Sequence, residues 1–203
     1  MYTLKYTNQF KKDYKLMIRQ GKDISLLDNV IVKMPNIGLE NVDLNKEVKK
    51  YFADAKIAVT NDANAAALGE ALVGEKSSSS YMITLGTGVG GGYIIDDKVI
   101  AGPHAATGEI GHMYIDSVHE FKCNCGLKGC LETVASATGI VRLATTYYND
   151  FKTKLNKDTM SAKDVMDAAR EGDALGLAVL DIVGEALGRA LSIVAVTCDV
   201  DVF

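Results

Sequence analysis

Four residues with metal-binding chemistry stand close together in the chain. Cys123, Cys125 and Cys130 fall within CNCGLKGC, and His112 lies eleven residues before the first of them. Three thiolates and one imidazole complete the closed tetrahedral shell of a structural zinc ion. Gly126 and Gly129 let so short a loop turn all three sulfurs toward one point. The competing reading is three unrelated buried thiols beside a surface histidine; three cysteines within eight residues favour metal. Cys198 lies far along the chain and reads as an ordinary buried thiol, while His104 and His119 read as surface residues.

A second chemical signal is the glycine run in LGTGVGGG, which contains GxGxxG at Gly86, Gly88 and Gly91. In a dinucleotide fold that motif opens a helix, but the residues that follow, GYIIDDKVI, are β-branched and turn-forming. No Gly-Lys-Ser/Thr follows either, which excludes a P-loop. A glycine loop between two strands can still offer its backbone N–H groups to an anion, with the Thr87 hydroxyl as a further donor. A plain tight turn with positive φ is the alternative. Five glycines across residues 86–92 exceed what such a turn needs, which predicts a phosphate cradle over that whole loop.

Three carboxylates are the candidates for acid–base and hydroxyl chemistry. Asp62 follows a predicted strand and opens an alanine-rich helix, where it serves equally as an N-cap or as a base projecting into a cleft at strand ends. Glu109 in GEIGH and Glu132, directly after the cysteine loop, stand beside the metal residues. Carboxylates accept paired hydrogen bonds from sugar hydroxyls; surface salt bridges remain the alternative for both.

These residues need elements to hold them, and the hydrophobic pattern supplies an alternation of strand and helix. Strands are predicted at residues 56–60 and 81–85, with a hairpin over 93–95 and 99–101 that turns at Asp96 and Asp97. Helices are predicted at 62–74, 135–149, 162–171 and 173–196, with Ser161 and Asp173 as caps. That order argues an α/β or α+β architecture. The apolar stretch 174–198 is long enough for a membrane span. However, Asp181, Glu185 and Arg189 recur every four residues and mark a helix packed on a soluble core. Within it Gly184 and Gly188 form a GxxxG, read here as a site of close helix packing.

The chain has 203 residues, 48% of them hydrophobic and 24% charged, which excludes collagen-like, disordered and mini-protein classes. Its net charge of −4 offers nothing to nucleic acid or a membrane surface. The charge is uneven: residues 1–34 hold seven Lys/Arg against three Asp. This places a domain boundary between residues 34 and 35. No charged-then-apolar signal segment opens the sequence, so a reducing cytoplasmic location is expected.

Taken together, PNIGLENVDL, NDANAAALGE, ITLGTGVGGG, GEIGHM and CNCGLKGCLETVASATGI resemble the ROK family of sugar kinases and repressors, most of all its bacterial glucokinases, from about residue 35 to 197. The resemblance implies an actin-like (ribonuclease H-like) ATPase fold with the sugar in a cleft. It implies Asp62 as catalytic base for the sugar 6-hydroxyl attacking MgATP, and Asn61, Glu109, His112 and Glu132 as ligands of glucose or a related hexose. It implies Gly86, Thr87 and Gly88 facing the ATP phosphates, His112, Cys123, Cys125 and Cys130 binding zinc, and a homodimer as the assembly.

Family kinases open with a glycine-rich Asp-x-Gly-Gly-Thr segment and carry a late Gly-Gly-Gly adenosine turn; this chain has neither, so a fold incomplete at both ends and lowered turnover are expected. Residues 1–34 instead resemble the opening of RelE/YafQ-type ribonuclease toxins. Three functions follow: ATP-dependent glucose phosphorylation, a non-catalytic zinc-containing sugar-binding protein or transcriptional regulator, and RNA binding through the basic segment.

Overall fold

The chain divides into two compact units, Met1–Thr60 and Asn61–Phe203. The structure, a computed structural model, describes residues 46, 49, 50, 61–74, 77–104 and 106–203. In the first unit Lys46 and Lys49 are helical. The basic segment 1–34, the boundary expected after residue 34 and the strand expected at 56–60 lie outside the described residues.

The second unit begins with helix α1 (Asp62–Val73). Asn61 and Asp62 are both good capping residues, and the cap falls to Asn61 rather than to Asp62. Asn61 has extended backbone and its Oδ1 accepts from the N–H of Asn64 at 2.7 Å, which leaves Asp62 as the first helical residue with its carboxylate uncommitted to the cap.

Strands β1 (Ser79–Leu85), β2 (Val89–Ile95) and β3 (Lys98–Val99) form an antiparallel meander, with Leu85 opposite Val89 and Ile83 opposite Gly91. The glycine loop is therefore shorter than expected. Only residues 86–88 form the turn, and Gly90, Gly91 and Gly92 belong to β2. Packing explains them. A Cβ on Gly92 would stand 2.5 Å from the Ala67 Cβ of α1, and one on Gly91 would stand 2.5 Å from the Gly108 carbonyl oxygen. Missing side chains on both faces of β2 let α1 approach one side of the sheet, at Gly90 and Gly92, and the 108 loop the other, at Gly91. Asp96 and Asp97 both have positive φ, 48° and 59°, which makes the two-residue turn whose twist suits a hairpin. On the far side of β1, Val202 bridges Ser80 in parallel, and the Tyr81 N–H donates to the Val202 carbonyl at 2.9 Å.

A helical layer follows: α2 (Glu132–Ala135), α3 (Ala137–Thr146), α4 (Ala162–Arg170) and α5 (Ala174–Cys198). The helix expected at 135–149 runs only from Ala137 to Thr146 as α3; Ser136 before it has extended backbone that ends α2, and its hydroxyl caps α3 by accepting from the Gly139 N–H. Ser161 caps α4 in a reciprocal capping box with Asp164, and Asp173 caps α5. The core joins Leu175, Val179 and Val183 of α5 to Leu131, Val134, Leu143 and Val165, all nearly or fully buried. Burying such side chains drives the assembly at about 1.5–3 kcal/mol each.

Glu185 and Arg189 pair at 3.2 Å on the exposed face of α5. No helix among the described residues is long and apolar enough to cross a membrane. The GxxxG expectation fails, since a Cβ on Gly184 or Gly188 would meet nothing within 4 Å. The close approach is made at Gly176, whose missing side chain leaves room for the backbone of Ala169 and Val165.

Candidate active site

The N-terminus of α1, the 86–88 turn, the 3-10 turn Ile110–His112 and the start of α2 converge on one open cleft of about 560 Å³. Asn61, Asp62, Glu109, His112 and Glu132 line it together with Gly86, Thr87 and Gly88. Every side chain singled out for sugar or base chemistry thus reaches one place. Asn61 is fixed from both ends of its amide: Oδ1 caps α1 and Nδ2 donates to Glu109 Oε1 at 3.1 Å. Asp62 Oδ1 accepts from the Ala63 N–H at 3.0 Å. Among the described residues, three carboxylates and no lysine or arginine line the cleft, a set that accepts hydrogen bonds from a neutral polyol and repels an anion.

Beside the cleft, the ligand atoms of His112, Cys123, Cys125 and Cys130 all lie within 4.8 Å of one another. Cys125 Sγ stands 3.7 Å from Cys130 Sγ, and Cys123 Sγ stands 3.5 Å from His112 Nδ1. A tetrahedral zinc shell has edges of about 3.8 Å between sulfurs and about 3.5 Å between sulfur and nitrogen, from bonds of about 2.3 and 2.0 Å. The donor set fits that ion. Gly126 and Gly129 carry the positive φ, 91° and 67°, that winds the loop. Burial pushes the Cys123 thiol up to about 12, aided by its hydrogen bond to Glu132 Oε1 at 3.0 Å. Cys125, whose sulfur faces the Leu127 N–H, is held below the usual thiol range.

Glu132 joins the two features, because it lines the cleft and accepts from Cys123. Its approach also explains Gly88: a Cβ there would stand 3.0 Å from Glu132 Oε2. The turn itself is tied to α3, the Ala137 N–H donating to the Gly86 carbonyl at 2.8 Å and Thr138 Oγ1 to the Thr87 carbonyl at 3.2 Å. Sequence reasoning missed Ser136 and Thr138, although serine is among the residue types that cap helices.

His119 is a correction. It is not on the surface: its side chain is 8% exposed, with Nδ1 2.9 Å from Asp116 Oδ1 and Nε2 2.8 Å from the Tyr147 hydroxyl. Its ring stacks on Phe121 at 5.2 Å. Burial pushes the Asp116 carboxyl up, but hydrogen bonds from His119 and Val118 outweigh this and hold it below the usual range. This group pins the stem of the cysteine loop to the end of α3. His104 is exposed, and Cys198 is half-buried rather than buried.

The α/β unit and its cleft have the actin-like ATPase fold of sugar kinases. The profile of the ROK family matches residues 17–203, so the chain belongs to the ROK family. That match begins inside the segment likened above to a toxin opening. The chain is 41% identical over 165 residues to a glucokinase of Halalkalibacterium halodurans, covering 77% of this chain and 50% of that protein. It is 37% identical over 175 residues to a glucokinase of Thermotoga maritima, covering 81% and 55%. A ROK family glucokinase from Streptomyces griseus, solved in complex with glucose and AMPPNP, superposes with a TM-score of 0.65 at 32% identity, over 79% of this chain and 55% of that one. A ROK family transcriptional regulator, homologous to the E. coli MLC protein, superposes with the same TM-score at 34% identity, over 74% and 39%. The chain spans about half the length of the curated relatives it matches.

Proposed function

We propose that this chain carries the sugar site and catalytic base of an ATP-dependent hexose kinase, phosphorylating glucose or a related hexose at its 6-hydroxyl. The observation that carries the reading is the convergence of Asp62 with Asn61, Glu109, His112 and Glu132 on one cleft whose rim is the 86–88 turn. Glu109 and Glu132 accept from sugar hydroxyls, Asn61 is held by Glu109, and His112 presents one face to the sugar while Nδ1 turns toward Cys123. Asp62 accepts the 6-hydroxyl proton as that oxygen bonds to the γ-phosphorus and the bond to the β-phosphate oxygen breaks, releasing ADP. Gly86, Thr87 and Gly88 face the transferring phosphoryl group. Magnesium, when bound, neutralises charge on the phosphates. His112, Cys123, Cys125 and Cys130 would hold zinc, which would play a structural part and hold Glu132 and His112 in place. The homodimer and the cytoplasmic location rest on resemblance and composition alone.

Calorimetry with glucose and a coupled glucose-6-phosphate assay test this. Glu109→Gln should weaken glucose binding by about tenfold or more, as a charge-assisted hydrogen bond is lost. Asp62→Asn should keep glucose affinity within a few-fold and lower product formation by about 10²–10⁴. Glucose affinity indifferent to Glu109→Gln would overturn the sugar site. The similarity to a transcriptional regulator supports a second reading, a sugar sensor without catalysis. Normal glucose binding with no glucose-6-phosphate formed at any ATP concentration would favour it.

A further inference from the structure

A cavity of about 160 Å³ opens between the stem of the cysteine loop, the end of α3 and α5, and it shares no residue with the sugar cleft. Its inner wall is apolar, built by the buried side chains of Ile115, Val134 and Ala186. Asp116 also lines it, with a side chain only 7% exposed. One oxygen of that carboxylate is fully engaged: Oδ1 accepts from the Val118 and His119 N–H groups at 3.2 Å and faces His119 Nδ1 at 2.9 Å. The other, Oδ2, is buried without a hydrogen-bond partner. A carboxylate oxygen in that position needs a donor to offset its lost hydration. The charges around the cavity also fall one cation short. In its neutral form His119 is saturated, Nδ1–H donating to Asp116 and Nε2 accepting from the Tyr147 hydroxyl at 2.8 Å. Glu185 and Arg189, at the mouth, pair with each other at 3.2 Å and cancel. Among the described residues lining the cavity, Asp116 is thus the ionised group left without a countercharge.

We infer that this cavity binds a short primary alkylammonium ion, its nitrogen donating to Asp116 Oδ2 and its carbon chain lying against Ile115, Val134 and Ala186. Size, charge and polarity each narrow the ligand. A cavity of this volume holds a molecule of about six heavy atoms. A single free carboxylate oxygen in an apolar wall gives a hard metal ion too few oxygens. Water brings a donor without balancing the charge, and a quaternary ammonium brings the charge without an N–H. The bound ion touches the stem of the cysteine loop through Asp116 and α5 through Ala186, and so ties the two together. The site stands apart from the kinase reading, and neither depends on the other.

Calorimetry on the full chain with n-butylammonium chloride tests this, at constant ionic strength and at about pH 8, above the ordinary histidine range and below that of an alkylamine. Saturable binding at one site, with a Kd in the millimolar range or tighter, is expected. Two control ligands separate the terms. n-Butanol keeps the chain and loses the charge, tetramethylammonium keeps the charge and loses the N–H, and each should bind about tenfold or more weakly. Asp116→Asn should weaken n-butylammonium by about the same factor, with a cooperative denaturation curve to show that the variant is folded. Arg189→Gln, which removes a cation from the mouth, should leave the affinity unchanged or raise it by about two- to threefold. No saturable binding by the wild type, equal binding of either control ligand, or an Asp116→Asn variant that binds as well as wild type overturns the site. Binding that appears only in Arg189→Gln overturns it too, because Arg189 itself then turns inward as the missing cation. If Asp116→Asn does not fold, the three ligands compared on the wild type decide alone.

Discussion

Glycine 88 shows how narrowly a single side chain is placed. Its φ is not in the left-handed region, so alanine is conformationally tolerable, but the new Cβ would crowd the mobile end of Glu132 at 3.0 Å. Gly88→Ala should therefore change the unfolding free energy by under about 1 kcal/mol and still weaken glucose several-fold in calorimetry, as the Glu132 carboxylate is displaced. Asp116 tests the opposite case, a residue remote from the sugar. Asp116→Asn keeps an oxygen facing His119 but removes its negative charge, and should cost about 1–3 kcal/mol at neutral pH in chemical denaturation. The Asp116 pKa is lower folded than unfolded. Its stabilisation is therefore complete above the ordinary carboxylate pKa of about 3.9 and is lost as pH falls through the folded value. The gap between variant and wild type should close in that acid range. The clustering of the three cysteines was legible from spacing alone, because their sulfurs lie within one short loop. The group of Asp116, His119 and Tyr147 was not, since it depends on how that loop lies against a helix 28 residues further on.

Among the elements, α2 and α3 show what a capping residue can decide. The helix expected at residues 135–149 begins in fact after Ser136, whose extended backbone separates α3 from the short α2 and whose hydroxyl accepts from the Gly139 N–H. The break sets the first residues of α3 against the 86–88 turn. Ser136→Ala should cost about 1 kcal/mol and also speed hydrogen exchange at the Gly86 amide, which bonds within that turn. Ser161→Ala should cost a similar amount, through the lost capping box of α4, and leave the Gly86 amide and glucose affinity untouched. The glycines misled for a related reason. A run of five was assigned to one cause, an anion cradle, when Gly91 and Gly92 serve the close approach of the 108 loop and of α1. Spacing reports that side chains are missing, and only packing reports why.

For the whole molecule, the proposed metal and sugar sites would make stability and ligand binding depend on one cysteine loop. Chelation should lower the Tm and weaken glucose together, because Glu132 and His112 depend on the same loop. One equivalent of zinc by elemental analysis, with both losses reversed on its return, is the expected result. Capture of the ion would also release a proton from Cys123, whose thiol is pushed up by burial, so apparent zinc affinity should fall as the solution is acidified.

The five residues after α5 have a quieter duty. Asp201 takes hydrogen bonds from Ser78 and Ser79, Val202 lies along Ser80, and the Phe203 ring stands 6.5 Å from Tyr81. They cover the flank of a seven-residue run, SSYMITL, that has no charge and no proline. Stripped of that cover, the run becomes a template for stacking identical chains. A version cut after Cys198 should scatter light and bind amyloid dyes at concentrations where the full chain stays clear.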